Sequence, residues 1–459
     1  MNPGITPPPP VATEELPHVG AGLRFLDAPT EYLVELRERH GDTFFVDLFG
    51  FPLLFSFSPR GLQSLYALPE DEASFGLATF DMIGFKTPTE VFADVDPAIF
   101  REALAPSRLP AQVALIDTVV QMELERWGAA GETDIFDAIR TLEQRVGFAL
   151  WIAPVAAEEP WWPELKRHFD VLDQAAAFVA PQQILATIAS GKAAERAALA
   201  SIAELLPRIL AAHDASPARG SATVDLLRAR FAGTDAALAA RRVLHNAINL
   251  NQGFLSNLYA AIAWMSAEIL LRPEVRAQLQ NEIAATRAAH GEGFRSSPEA
   301  LGTMGYAAQV LMESVRVAQR SLTLRKVLRP VEFDTGDSVY TVQPGVYIAT
   351  MLSVTNTQTP ELARFDPAHY NGRELRPELV PGRETVSTFG HGRHACPAQR
   401  FSLHMARIVV SRLLERFELA PCFAAMEPSR KQMGGVSRPE DTARVMFRLH
   451  ETAPSAALT

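Results

Sequence analysis

The segment TFGHGRHACPAQRFS, Thr388–Ser402, places one cysteine among two glycines and a proline, immediately before a predicted helix. Gly390 and Gly392 allow backbone angles that are closed to other residues, so the main chain can approach a flat ligand closely. Pro397 suits the first turn of a helix because it has no amide hydrogen to leave unpaired. A thiolate at Cys396 would lie near the positive end of that helix, which favours the ionised form that binds metals. The segment therefore predicts a loop built around the Cys396 sulfur.

Around this loop the pattern of apolar residues predicts a mainly helical body with a smaller β-rich region. Apolar residues recur at three- and four-residue intervals from Pro97 to Ala318 and again from Ala398 to Phe417, which indicates helices. Short, partly alternating stretches with Gly or Pro at their turns indicate strands. The predicted strand regions are Phe44–Phe57, Leu322–Tyr347 and Val445–Leu449.

The N-terminus differs from the rest of the chain. Residues 1–16 contain Pro7–Pro10 and have no apolar periodicity, so we expect an extended Pro-rich leader outside the fold. Residues 17–459 contain no internal repeat and no linker. We therefore expect them to form a single domain.

Composition limits the class of protein and its partners. The 459 residues are 47% hydrophobic and 21% charged, as in an ordinary globular protein. The net charge of −10 offers no basic surface for nucleic acid. The N-terminus lacks a basic region followed by an apolar stretch, and no run of apolar residues is long enough for a membrane anchor. Two cysteines are too few for a disulfide scaffold, so we expect a cytoplasmic protein.

The cysteine loop resembles a known signature. Phe389, Gly392, Cys396 and Ala398 are similar to the haem-binding motif of the cytochrome P-450 family, with Ala398 at a position that is usually Gly. This resemblance implies that Cys396 is the iron ligand of haem b, iron protoporphyrin IX. His394 matches a basic residue that binds a haem propionate in the family.

The resemblance extends to the other residues of the expected haem site. It implies that Phe389, Gly390 and Ala398 surround the haem with Cys396. Arg325 matches a propionate-binding arginine of the family, and Arg101 is a further candidate for that role. For each arginine the alternative is a solvated side chain, and Phe100 stands where relatives often have His or Trp before this arginine.

A second motif lies upstream of the cysteine. Glu313 and Arg316 in ESVRVAQR are one helical turn apart and share a face. They resemble the Glu-x-x-Arg pair of the family, which implies a structural role with Arg364 or His369 of the stretch RFDPAHY. The alternative is an exposed salt bridge.

On the expected oxygen side the sequence departs from the family pattern. A long helix is predicted from Leu244 to Leu271, with Ser256 and Asn257 where most members have an acidic or amide residue followed by Thr. These two residues are our catalytic candidates. Asn257 has an amide donor but no proton to give up. An Asn here resembles the sterol hydroxylase and prostacyclin synthase branch; the alternative is that both are ordinary helix residues.

Several apolar residues are candidates for a substrate pocket. An apolar cluster lies before the first long helix, where the family lines its pocket, and motif position adds further residues. The alternative for each is core packing. The candidates are Phe80, Met82, Ile83, Phe85, Gly253, Leu322, Leu324 and Val436. They predict an apolar substrate.

The resemblance implies a haem-thiolate monooxygenase that activates O2 to oxidise an apolar small molecule. Because no reductase domain is fused, a separate ferredoxin or flavodoxin would supply electrons. The main alternative is an isomerase or dehydratase that rearranges a peroxide or similar substrate without O2 or electrons. A non-catalytic partner-binding homologue is a minor alternative, against which the retained Cys396 argues.

Overall fold

The computed structural model of the protein describes residues 8–14, 16–173, 182–216 and 222–450. Helices predominate in these residues. The helices are α1 (Val19–Asp27), α2 (Pro29–His40), α3 (Pro59–Ala67), α4 (Phe75–Ile83), α5 (Pro97–Ala103), α6 (Leu109–Arg126), α7 (Ile135–Trp151), α8 (Trp161–Leu172), α9 (Gln182–Ala189), α10 (Ala193–Ala215), α11 (Thr223–Arg230), α12 (Ala236–Leu255), α13 (Leu258–Leu271), α14 (Pro273–His290), α15 (Pro298–Gly302), α16 (Gly305–Ala318), α17 (Leu352–Thr355) and α18 (Gln399–Arg416).

The strands form small sheets. They are β1 (Thr43–Leu48), β2 (Phe51–Ser56), β3 (Ala73–Ser74), β4 (Ala130–Asp134), β5 (Leu322–Val327), β6 (Val331–Asp334), β7 (Val339–Val342), β8 (Tyr347–Met351), β9 (Tyr370–Asn371), β10 (Glu374–Leu375), β11 (Phe417–Pro421) and β12 (Arg444–Leu449). The largest sheet has the order β1-β2-β8-β5-β3, and a second has the order β11-β12-β4. The predicted mainly helical fold with a smaller β-rich region is confirmed.

The core is built around α13, which is buried on all sides. This helix packs against α7, α16 and α18, while α6 packs against α7 and α18. A helix that is apolar all round has to be enclosed in this way, because it has no face suited to water. The bundle so formed places the start of α18, and therefore the cysteine loop, beside the central helix.

The segment Ala236–Leu271 is long and apolar enough to cross a membrane by length and composition. However, 83% of its apolar window is buried inside the protein. Such burial is typical of a core helix.

The predicted single helix from Leu244 to Leu271 is wrong at one point. α12 ends at Leu255 and α13 begins at Leu258, and Asn257 between them has φ −130° and ψ −29°. Apolar residues are frequent on both sides of the break, so the sequence pattern did not reveal where α12 ends. At the break, Asn257 makes a tertiary contact that is described below.

Two further predictions need correction, one on the helical stretch Pro97–Ala318 and one on the N-terminal leader. Ala130–Asp134 is a strand within the stretch predicted to be helical, because it pairs with the distant β12. The parts of that stretch at 174–181 and 217–221 lie outside the described residues, as do 1–7 and 15 of the leader.

The leader is not wholly outside the fold. The N–H of Phe45 donates to the carbonyl of Pro10 (2.7 Å), and the N–H of Ala12 donates to the carbonyl of Phe45 (2.8 Å). Residues 10–12 therefore lie along β1 and belong to the folded body. The assignment of residues 17–459 to one domain stays a prediction.

His404 on α18 predicts an acid-sensitive component of stability. Its side chain is buried, and burial together with the charges of Arg407 and Arg400 lowers its pKa to about 4. The unfolded chain has the ordinary pKa of about 6.5, so it binds more protons between these values and the folded state loses stability as the pH falls through that window. We expect the free energy of unfolding, measured by urea titration, to decrease between about pH 7 and about pH 5 in the parent. In His404→Leu this decrease should be smaller by on the order of 1 kcal/mol. Equal losses in both proteins would contradict this assignment.

Candidate active site

We call α12 and α13 together the central helix, which is broken between them at Ser256 and Asn257. A cavity of about 530 Å³ lies between this break and the cysteine loop. Gly253, Ser256 and Asn257 line it on one side, and Cys396 with the start of α18 lines it on the other. Its volume is in the range of small-molecule and cofactor sites. The structure thus brings together the two parts of the chain that the sequence singled out.

The cysteine loop is a tight turn that requires glycine. The N–H of Cys396 donates to the carbonyl of Phe389 (2.6 Å), which closes the loop. Gly390 has φ +75°, and a Cβ there would lie 2.7 Å from the carbonyl oxygen of His394. Any other residue at 390 would therefore be strained and would clash with the backbone.

Ala398, which departs from the usual glycine, is accommodated without strain. It is the residue before the first turn of α18 and has φ −89°, an angle open to every L-residue. The backbone N–H groups of Ala398 and Gln399 donate to the sulfur of Cys396 and oppose a rise in its pKa, but burial has the larger effect and raises the pKa of the thiol. A buried thiol of this kind becomes a thiolate when a metal cation binds it.

Arg325 on β5 provides unsatisfied positive charge at the cavity. Its side chain is fully buried and lines the cavity, and its Nε donates to the carbonyl of Leu65 (3.2 Å). Both terminal nitrogens lack a hydrogen-bond partner among the described residues. The charge of Glu70 and the ring of Phe75, whose centroid is 5.3 Å from the guanidinium carbon, interact with this cation. The two terminal nitrogens remain available to bind an anionic group of a ligand.

His394 lies near the same place. Its ring packs on Phe75 with the centroids 5.1 Å apart, and its Nε2 is 3.4 Å from a carboxylate oxygen of Glu70. That contact lacks hydrogen-bond geometry, so Nε2 is also unsatisfied. His394 and Arg325 thus both offer donors to a ligand of the cavity.

The Glu313–Arg316 pair is fully buried. The guanidinium binds the carboxylate through two hydrogen bonds of 2.7 and 2.6 Å. It also donates to three carbonyls, those of Asn356 (2.6 Å), Leu362 (2.5 Å) and Arg364 (3.0 Å). Arg364 therefore takes part through its main chain. The pair is a junction between α16 and the segment after α17.

His369 supplies the side-chain partner of this pair. Its Nδ1 lies 2.9 Å from Oε1 of Glu313, which also accepts the N–H of Asp366 at 2.8 Å. The lone pairs of the buried carboxylate are therefore used by donors from two elements.

The junction is connected to the cysteine loop through Asn356. Its amide nitrogen donates to the carbonyl of Ser387 (2.8 Å), and its amide oxygen accepts the N–H of Ser387 (2.9 Å). The hydroxyl of Ser387 then accepts the N–H of Gly390 (3.1 Å). A continuous chain of hydrogen bonds thus joins the ion pair to the loop of Cys396.

On the opposite wall, the amide oxygen of Asn257 accepts the N–H of Val436 (2.9 Å). The amide nitrogen lies 3.3 Å from the hydroxyl of Ser256. This contact with a distant turn holds Asn257 at the point where the helix is broken.

Five of the eight pocket candidates line the cavity: Met82, Ile83, Gly253, Leu322 and Val436. Phe80 does not, because the cavity faces the side of α4 that carries Met82 and Ile83, and Phe80 packs on Phe92 instead.

The assignments of Phe85 and Leu324 to the pocket are not supported. Phe85 follows the end of α4 and packs against Phe51. Leu324 does not line the cavity and packs in the core of the sheet instead.

Arg101 does not reach the cavity. It is exposed on α5, and the neighbouring Phe100 faces the central helix instead, within 3.5 Å of where a Cβ on Gly253 would lie. A propionate contact by Arg101 is therefore not supported.

Sequence reasoning missed several residues of the cavity. Tyr66, Gln319, Ser321 and Gln432 line it. Gln319 and Ser321 follow the Glu-x-x-Arg motif closely, and this position could have identified them as cavity residues. Tyr66 and Gln432 come from segments that carry no motif.

Comparison with known proteins gives the family. The cytochrome P-450 family model matches residues 166–447, more than half of the chain. The chain belongs to the cytochrome P-450 family. Its relatives in this family include hydroxylases and monooxygenases, and the protein is an enzyme of the cytochrome P-450 monooxygenase type.

Two relatives match over nearly their whole length. The chain is 20% identical to human 24-hydroxycholesterol 7-alpha-hydroxylase, covering 96% of this chain and 93% of the relative. It is 22% identical to the sterol 14alpha-demethylase of Mycolicibacterium vanbaalenii, covering 89% and 92%. A solved structure, retinoic acid bound cyanobacterial CYP120A1, has the same fold, with a TM-score of 0.72 and 19% identity over 97% of this chain and all of that one.

The cytochrome P-450 family implies a haem cofactor, and the residues at the cavity fit one. The sulfur of Cys396 lies on the cavity wall, and sulfur is a soft donor that suits haem iron. The unsatisfied nitrogens of Arg325 and His394 match the carboxylates that a haem carries at its edge. The sulfur of Cys396 and the nitrogens of Arg325 and His394 are therefore suited to bind haem.

Removal of the sulfur ligand should change the spectrum of the haem protein. We expect Cys396→Ala to lose the red-shifted carbon monoxide band that thiolate ligation gives to reduced haem. Cys422→Ala is the matched control, because Cys422 is exposed and distant from the cavity, and its spectrum should equal the parent's. Retention of the band in Cys396→Ala would show that another residue binds the iron.

Loss of either member of the buried pair should destabilise the protein. Glu313→Ala or Arg316→Ala leaves the other charge buried and unpaired, which costs about 3–5 kcal/mol. We expect a lower melting temperature and a low yield of haem-loaded protein. Glu418→Ala, which removes an exposed partner of Arg448, is the control and should melt near the parent temperature. Normal melting of both buried variants would mean that the pair does not stabilise the loop.

Proposed function

We propose that the protein uses O2 to hydroxylate or otherwise oxidise an apolar small molecule, with haem b held by Cys396. The observation that supports this most directly is one cavity that carries a sulfur ligand on one wall and the break of the central helix on the other. When bound, the haem supplies O2 activation, which a thiolate ligand favours.

The residues of the chain have separate proposed roles around this group. Cys396 holds it from the side of α18, while the tight turn at Gly390 lets the main chain approach its face. Arg325 and His394 bind its carboxylates, which satisfies their free nitrogens. Phe389 and Ala398 line the same wall and keep water from the sulfur.

The proposed substrate is apolar. Met82, Ile83, Leu322 and Val436 line the open part of the cavity, and such walls bind apolar molecules by excluding water. Two relatives act, by name, on sterols, which is consistent with a lipid-like substrate. Gln319 and Ser321 add a polar position in the wall, with the Ser321 hydroxyl donating to the Gln319 amide (2.9 Å).

Cytochromes P-450 of this type use a redox partner, and we propose a separate ferredoxin or flavodoxin. Arg393 and Arg400 flank Cys396 in the sequence and are exposed. Exposed positive charge beside the sulfur ligand favours a partner with an acidic surface, because complementary charge steers association. The electrons would then enter on the side of the Cys396 loop.

A second candidate function is the rearrangement of a peroxide or similar substrate without O2 or electrons. Asn257 favours it, since its amide can orient an oxygen atom of the substrate but has no proton to transfer. A screen of apolar substrates and peroxides, each with and without an electron source, separates the two functions. Oxygenation requires the electron source, whereas rearrangement does not.

The replacement Asn257→Thr tests the oxygen side. If the protein is an oxygenase, we expect the product formed per electron consumed to stay equal or increase, because a hydroxyl can take part in proton transfer. Asn371→Thr, an exposed change on β9, is the control. A large loss of product in Asn257→Thr, with turnover of a peroxide in the parent that needs no reductant, would favour rearrangement instead.

A further inference from the structure

Gly435 lies in the turn that contacts Asn257 and has φ +66°. A Cβ at this position would lie 2.2 Å from the amide oxygen of Asn257 and 3.3 Å from its amide carbon. No real Cβ approaches an oxygen so closely. The contact between Asn257 and the turn therefore requires glycine at 435.

The turn is held in place by its own hydrogen bonds. The N–H of Arg320 donates to the carbonyl of Gly435 (2.8 Å), and the amide of Gln432 donates to the carbonyls of Gly434 (2.6 Å) and Val436 (3.0 Å). Each of the three successive carbonyls thus accepts a hydrogen bond, from Gln432 within the turn or from Arg320 outside it. Asn257 therefore contacts a turn that is held by hydrogen bonds of its own.

The orientation of the Asn257 amide follows from its partner. The N–H of Val436 is a donor, so the atom that faces it at 2.9 Å must be the amide oxygen. Asn257 lines the cavity, and its amide nitrogen is the atom that Val436 does not engage. One of its hydrogens faces the hydroxyl of Ser256 (3.3 Å), and the other has no acceptor among the residues that the structure describes.

From this geometry we infer that Gly435 is a positioning residue, which fixes the amide of Asn257 as a hydrogen-bond donor aimed at an acceptor oxygen in the cavity. This inference rests on the proposed function only in that it assumes a haem opposite Asn257. It holds for either reaction. The ligand class is one with an acceptor oxygen near the reacting centre, such as a carbonyl, an ether or a hydroxyl.

Carbon monoxide bound to the reduced haem protein is the first probe. A nearby donor polarises it, so loss of that donor should raise the C–O stretching frequency in the infrared. We expect Asn257→Ala to raise the frequency, Gly435→Ala to raise it in the same direction, and the double variant to equal Asn257→Ala alone. An unshifted Asn257→Ala would show that the amide does not face the site. A shift in Asn257→Ala with parent frequency in Gly435→Ala would overturn the role of Gly435.

Melting temperature and holoprotein yield are the second readout. Gly372→Ala is the matched control, because Gly372 has φ +62° and a Cβ there would meet no atom within 4 Å, so it reports backbone strain alone. We expect Gly435→Ala to lower the melting temperature more than Gly372→Ala does. When Asn257→Ala is also present, Gly435→Ala should lower the melting temperature no more than Gly372→Ala does, because the oxygen that clashes with the new Cβ is absent.

The same cycle covers the case in which Gly435→Ala gives no haem protein. Recovery of holoprotein in Asn257→Ala/Gly435→Ala would support the inference, and failure to recover it would overturn it. Neither readout needs a substrate or a protein redox partner, because a chemical reductant can reduce the haem for the carbon monoxide measurement. The inference and the proposed monooxygenase function can therefore fail independently.

Discussion

Two opposite charges on one turn of α16, those of Glu313 and Arg316, are entirely removed from water. Removing two such charges from water is expensive unless every remaining lone pair and proton is used. Here the three main-chain carbonyls on Arg316, with the donors on Glu313, complete the pair. These donors and acceptors come from the loop between α17 and β9, so that loop cannot shift without exposing a buried charge.

This requirement reaches the cysteine through a short path. Asn356 contacts both the guanidinium, through its carbonyl, and Ser387, through its side chain. Ser387 in turn holds Gly390, where the chain turns toward Cys396. The position of the Cys396 sulfur therefore depends on a buried ion pair that lies outside the cysteine loop.

The sequence predicted features whose causes are local. The cysteine loop depends on two glycines and a proline within ten residues, and the predicted strand pair at Phe44–Phe57 depends on alternation and a turn. Both causes can be read without knowing the rest of the fold. The role of Cys396 as iron ligand stays a prediction, but its place on the cavity wall agrees with it.

Features with distant causes were not predictable. At the helix break, Asn257 contacts Val436 in a turn almost 180 residues away, and apolar periodicity carries no record of this contact. Phe80 and Leu324 were assigned by position along the chain, whereas their environment depends on which face of an element meets the cavity. β4 is a strand only because β12 lies beside it.

The segment at residues 10–12 has a consequence for solubility. β1 is the outer strand of the five-stranded sheet, and an outer strand offers unpaired N–H and C=O groups to any other extended chain. In this protein the segment lies along that strand at Phe45. Because proline has no N–H, the run Pro8–Pro10 is a poor template for a further strand. Residues 10–12 thus cover this edge at Phe45, and a truncated chain that begins at residue 17 would leave that part of the edge uncovered.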